Sequence, residues 1–220
     1  VCCSIHDKLT NVVFNSVYNK LDGFEFLDNS NYVCSNTTQV YKLIFIGRLT
    51  KQKKLMFLLE ALKMLLKVKN KFELHIVGEG PCMEEMKNYV IENNMESYIT
   101  FYGAVYDENL IGEILVGCDL CVSPGEVGLT AIHCMQYGVP VITHGDRDSQ
   151  MPEFEIIIPK KTGDFFVKDD LMDLSRVIQK WFHQENYNRV EIGRNCIQQV
   201  NEKYNPISQS IIIQNLLLND

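Results

Sequence analysis

The sequence predicts an α/β protein, with a parallel sheet flanked by helices on both faces and a helical carboxyl-terminal tail. Three observations point there. From about residue 41 short apolar runs alternate with helical patterns. The runs are almost continuously apolar rather than alternating, as strands buried on both faces must be. Gly47, Gly78, Gly103 and Gly145 each stand at or just past the end of a run, where the backbone turns and a ligand can come close.

The predicted strands are KLIFI (42–46), LHIV (74–77), ITFY (99–102), LCVS (120–123) and PVIT (140–143). Helical patterns lie between them at about 53–68, 81–94, 107–117 and 129–137. Pro81 suits a first helical turn, with Glu84 and Glu85 near its positive end. Gly138 reads as a helix stop. After residue 168 the pattern turns helical, in DDLMDLSRVIQKWF, YNRVEIGRNCIQQV and PISQSIIIQNLLL. Ahead of the repeating pattern, NVVF (11–14) reads as a strand and 21–38 as a polar loop.

KQKKLMFLLEALKMLLKVKNK (51–71) has lysines at both ends of an apolar body, which also describes a helix lying on a membrane surface. Its polar positions Glu60, Lys63 and Lys67 form only a narrow stripe, so the core reading is preferred.

A chain of 220 residues supplies one large α/β domain or two small ones with a buried core. The formal charge of −7 excludes a general affinity for nucleic acid, whose phosphates demand a basic face. Any phosphate chemistry must use a few local cations. The eight cysteines are scattered and several lie in apolar runs, which fits buried thiols in a reducing compartment. Cys118 and Cys121 form a C-x-x-C, but Cys121 falls inside a predicted strand and no second pair matches it, so no metal is expected. No run of about 18 apolar residues predicts a membrane span, and no secretory leader is read.

Three stretches carry chemistry. In GRLTKQKK (47–54), Arg48 and Lys53 sit where loop becomes helix at the ligand side of the sheet, and a guanidinium with an ammonium suits a diphosphate. A solvated helix start with Lys51, Lys53 and Lys54 is the plainer reading of the same residues. In SPGEVGLTAIHC (123–134), Gly125 and Gly128 allow close backbone approach, and free amides at the start of a helix make an anion site. Thr130 can cap that helix or donate to a phosphate, and His133 lies one turn on, either in the crevice or as a buried hydrogen-bonded histidine. The carboxylates of QMPEFE (150–155) either meet sugar hydroxyls or cap a turn.

Together IFIGRLTKQKK, HIVGEGP, FYGAVYDENL, SPGEVGLTAIHCMQYGVPVIT, QMPEFE and KKTGDFF resemble, in order and spacing, the group 1 (family 4-like) glycosyltransferases of the GT-B fold. The resemblance covers about residues 41–170. It implies a Rossmann-like donor-binding domain over 41–200, the carboxyl-terminal half of a two-domain enzyme. Residues 1–40 would be a linker from an amino-terminal domain, and the helix at 201–220 would pack back on that domain. The implied reaction moves a sugar from a nucleotide diphosphate such as a UDP- or GDP-sugar to an acceptor glycan or lipid-linked glycan, with retained configuration and no metal or other cofactor. The setting implied is polysaccharide or glycoconjugate synthesis in the cytoplasm, with peripheral contact at the inner face of the membrane. The half alone is expected to bind nucleotide without transferring sugar.

By position, Arg48 and Lys53 would stabilise the leaving diphosphate, with Gly47 beside them on the donor, and the turns carrying Gly78 and Gly103 would lie near the nucleobase. Gly125, Glu126, Val127, Gly128, Leu129 and Thr130 would hold phosphate and donor sugar. The chain departs from the family at a pair of glutamates, the second of which commonly reaches the donor ribose. Their places are taken by Gly125 and His133, with Glu126 one residue out of register. Histidine can still bond a ribose hydroxyl through either ring nitrogen. Lys54 stands where glycine is common, and reads as solvent-facing. Competing readings are a noncatalytic nucleotide-binding subunit or scaffold, and a GT-B sugar-nucleotide epimerase, which needs catalytic acids that the sequence does not place. A dinucleotide oxidoreductase is disfavoured, since GRLTKQ lacks the glycine fingerprint.

Overall fold

The computed structural model describes residues 40–67, 71–185 and 187–218. The predicted strand at 11–14, the loop at 21–38 and nearly all of the proposed linker lie outside the described residues.

Six parallel strands form one sheet: β1 (Val40–Ile46), β2 (Lys71–Val77), β3 (Ile99–Gly103), β4 (Leu120–Ser123), β5 (Val141–His144) and β6 (Gly163–Phe166), in the order β3-β2-β1-β4-β5-β6. This is the expected α/β class with a Rossmann-like sheet. Five strands match the apolar runs. The sixth was legible only as part of a motif, because GDFF is short and carries an aspartate. Its strand state comes from pairing, with Val141 opposite Gly163 and His144 opposite Phe166.

Between the strands run α1 (Leu55–Leu65), α2 (Met83–Glu92), α3 (Glu108–Val116) and α4 (Thr130–Gln136), followed by α5 (Leu171–Phe182), α6 (Arg189–Lys203) and α7 (Pro206–Leu218). Right-handed crossovers decide the layers. While strands are added on one side of β1 the connecting helices cover one face; when the order jumps to β4, they cover the other. Accordingly α1 packs against α2 and α5, while α4 packs against α6. The lysine-flanked stretch is a core helix, since Leu55, Leu58, Leu59, Ala61, Leu62 and Leu65 of α1 are buried. No helix among the described residues is long and apolar enough to cross a membrane. Gly138 ends α4 with φ 71, as a left-handed stop requires. On the tail helix α7, Ile211 and Leu217 are exposed.

Candidate functional site

Between β1 and β4 the direction of strand addition reverses, so the loops leaving their carboxyl ends part and open a crevice. A cavity of about 530 Å³ opens on the β1 side of this point, lined by residues 46–48, 77–80 and 104–106, the chain at and just past the ends of β1, β2 and β3. Gly47 and Gly78 line it. Gly103 is not among the lining residues; its carbonyl accepts the Gly78 amide at 2.7 Å. A larger cavity of about 790 Å³, with Asp164, Lys180 and Asn188 in its lining, lies by the start of β6 and of α6. The cavity at the strand ends is the one bordered by Arg48 and the strand-end glycines.

The two cations differ in setting. Arg48 is exposed, and its guanidinium has no ion pair or hydrogen bond among the described residues. Lys53 is half-buried and its Nζ donates to the Glu126 carbonyl. Burial lowers the Lys53 pKa, against the pull of Glu126 and Glu153. An ammonium that has lost solvent gains most from an arriving anion. Lys54 does not simply face solvent, as the sequence suggested: it forms an ion pair with Asp169 beyond β6. Its backbone is left-handed, φ 51, which is why glycine suits this position.

The loop after β4 is built by close contact. A Cβ at Gly125 would stand 2.0 Å from the Gln52 carbonyl oxygen and 2.8 Å from the Lys53 Cα. Only glycine lets the β4 loop lie on the turn that carries Lys53. The loop is then held by Gln150, whose Oε1 accepts from the Val127 amide at 3.0 Å. Gln150 Nε2 donates to Thr143 Oγ1 at 2.7 Å, to the His144 carbonyl at 3.2 Å and to the Gly125 carbonyl at 3.3 Å. Val127 is thus buried and its amide used, while Glu126 meets Lys53 through its carbonyl. Gly128 turns the chain with φ 55, and no hydrogen bond among the described residues uses the amides of Gly128 or Leu129.

Thr130 departs from one expectation. Its hydroxyl does not cap α4 but donates to the Ile46 carbonyl at 3.1 Å, tying the start of α4 to the end of β1. His133 reaches α3, with Nε2 3.3 Å from Glu108 Oε2. The Tyr137 hydroxyl lies 3.5 Å from the same oxygen and 3.4 Å from the Glu108 carbonyl. Burial, and then Glu108, push the Tyr137 hydroxyl up to about 12.

Of the QMPEFE carboxylates, Glu155 pairs with Arg147. Glu153 is 3% exposed, and its Oε2 has no partner among the described residues. Burial pushes its carboxyl above the ordinary range, although Lys53 pulls the other way. Cys118 and Cys121 are both buried, and burial pushes the Cys118 thiol up to about 12, the state of an unreactive thiol. Among the described residues no group of three His, Cys, Asp or Glu side chains is arranged to hold a metal ion.

Sequence reasoning missed Gln150 and Glu108. In the sequence Gln150 only heads a carboxylate motif, and a side chain that satisfies both amides and carbonyls has no sequence signature. Glu108 follows the cap residue Asp107, so it reads as an ordinary first-turn acid until α4 is placed beside it.

Comparison with known proteins agrees with this architecture. The family described as "Glycosyl transferases group 1" matches residues 40–184. Protein CapJ of Staphylococcus aureus is 27% identical over 135 residues, covering 56% of this chain and 30% of CapJ. TarM of S. aureus, solved in complex with fondaparinux, alpha-GlcNAc-glycerol and UDP, superposes with a TM-score of 0.69 at 20% identity, over 83% of this chain and 37% of TarM. The carboxyl-terminal domain of LpcC, a glycosyl transferase group 1 family protein of Francisella tularensis, superposes with a TM-score of 0.63 at 21% identity, over 75% of this chain and 86% of that domain. The chain thus spans about a third of the length of CapJ and of TarM, 30% and 37%.

Proposed function

The chain belongs to the group 1 glycosyl transferases, and from that premise we propose that it is the donor-binding half of a retaining, hexosyl-type glycosyltransferase. The sugar would leave a nucleotide diphosphate such as a UDP- or GDP-sugar for the hydroxyl of a glycan or lipid-linked glycan. One observation carries the reading. A cavity of about 530 Å³ at the carboxyl ends of β1, β2 and β3 is lined by the unpaired Arg48, and the half-buried Lys53 follows on the same loop. That is a volume and a charge pattern suited to a nucleoside diphosphate.

In this reading the base enters the cavity and the diphosphate lies along Arg48 and Lys53, with the amides of Gly128, Leu129 and Thr130 against it. Negative charge grows on the diphosphate as the glycosidic bond breaks, and cations already in place stabilise it without reorganising. A second domain, joined through residues 1–40 and contacted by the tail at 201–220, would bring the acceptor, in the cytoplasm at the inner face of the membrane.

A second reading has a specific observation behind it. Gly125 leaves no room for a carboxylate where the resemblance expects one, which suits a nucleotide-binding subunit that does not transfer. Sugar transfer by the longer protein, given donor and acceptor, decides against that alternative.

The test of the donor-binding reading is thermal shift and calorimetry of this chain with UDP, GDP, ADP and their sugar conjugates. At least one should stabilise the fold. No stabilisation by any of them, with the fold intact, would falsify it.

A further inference from the structure

We propose that Glu108 binds the ribose hydroxyls of the nucleotide and that His133 is its positioning residue. The inference rests on the donor-binding reading above. In a nucleoside diphosphate the ribose lies between base and phosphates. Here the base cavity is lined by residues 104–106, and the diphosphate groups are Arg48 and the loop that leads into α4 at Thr130. The start of α3 follows the first of these stretches in the chain, and the first turn of α4 follows the second. Glu108 is on the first and His133 on the second.

The carboxylate is prepared from one side only. His133 Nε2 at 3.3 Å and the Tyr137 hydroxyl at 3.5 Å both address Oε2 of Glu108. Oε1 has no hydrogen bond among the described residues, and the side chain is 32% exposed. A carboxylate only accepts, so the His133 proton that meets it sits on Nε2. The free oxygen is then an acceptor on a carboxylate held through Oε2 by His133 of α4 and by Tyr137 just past its end. Ribose hydroxyls are donors in need of such an acceptor, and an Asp or Glu plays this part in dinucleotide-binding α/β sheets.

The arrangement also resolves the histidine at a glutamate's position. His133 cannot present a carboxylate itself. It borrows one from the neighbouring helix and orients it, so the same chemistry arrives from α3 instead of α4.

The experiment measures affinity of the 220-residue chain for UDP, GDP and ADP, and then for the 2′-deoxy and 3′-deoxy forms of whichever binds. Wild type should lose about tenfold or more on removal of a contacted hydroxyl. Glu108→Gln, which keeps the shape, and Glu108→Ala should bind the ribonucleotide about ten- to a hundredfold more weakly. Both should discriminate poorly between ribose and deoxyribose. His133→Ala should shrink that discrimination, and His133→Gln, which can still donate to the carboxylate, should recover part of it. A purely structural role would leave the ratio unchanged. Full discrimination by a folded Glu108→Ala or Glu108→Gln chain overturns the inference and leaves the donor-binding reading standing. Binding of no nucleotide by wild type removes both.

Discussion

Gly125 lies so close to Gln52 that a Cβ in its place would stand 2.0 Å from the Gln52 carbonyl oxygen. Backbone meets backbone there, so no rotamer change relieves the clash. The contact explains why a glutamate is absent at this position and ties the β4 loop to the turn bearing Lys53. Gly125→Ala should destabilise the fold by roughly 1–3 kcal/mol. It should also weaken nucleotide binding, because Lys53 and the loop lose their common support. Chemical denaturation and calorimetry on the same variant check both. Gly125→Glu should be at least as damaging, and restored or improved binding in that variant would refute the steric account.

Gln150 satisfies the Val127 amide and the Gly125 and His144 carbonyls with one side chain. Gln150→Ala leaves part of that set unpaired in a buried loop. The expected loss is about 1–3 kcal/mol, with faster hydrogen exchange at the Val127 amide. Unchanged exchange there would remove Gln150 from its role as the loop's staple.

Arg48 is exposed and makes no side-chain bond among the described residues. Arg48→Ala should therefore change stability by no more than about 0.5 kcal/mol. Loss of a charge-assisted phosphate contact should still weaken nucleoside diphosphate binding about ten- to a hundredfold. Stability and affinity are thus expected to separate, and a titration beside a melting curve shows whether they do.

Glu153 predicts a pH dependence. Burial raises its carboxyl pKa in the folded state above the ordinary 4.5. Between the two values the native state holds the proton more than the unfolded chain does, so stability falls as pH rises through that window. Glu153→Gln removes the buried charge. The variant should gain stability relative to wild type at neutral pH, and the gain should shrink as pH falls toward the ordinary carboxylate value. Denaturant midpoints for both chains across this range give the answer; a gain that grows on acidification has the wrong sign.

Much of the fold was legible because buried parallel strands must be written as apolar runs, and LIFI, LHIV and LCVS are such runs. The crevice was legible for a related reason. Gly47 and Gly78 mark strand ends, and Arg48 and Lys53 follow the first of them. β6 was less visible, since a four-residue edge strand carrying an aspartate gives a weak pattern and GDFF depends on β5 for its state. The left-handed conformation of Lys54 was hidden too, because its side chain reads as a surface lysine whatever its φ.

The sequence by itself determined the α/β class, the glycine-marked strand ends and the two cations that follow the first of them. These follow from local pattern, because periodicity and turn chemistry are properties of neighbouring residues. Tertiary structure alone decided that Gly125 rests on Gln52, that Gln150 closes the loop, and that His133 on α4 turns to Glu108 on α3. Each of these joins residues far apart in the chain. Steric exclusion and hydrogen-bond pairing act on the distance between atoms, which only the folded chain fixes.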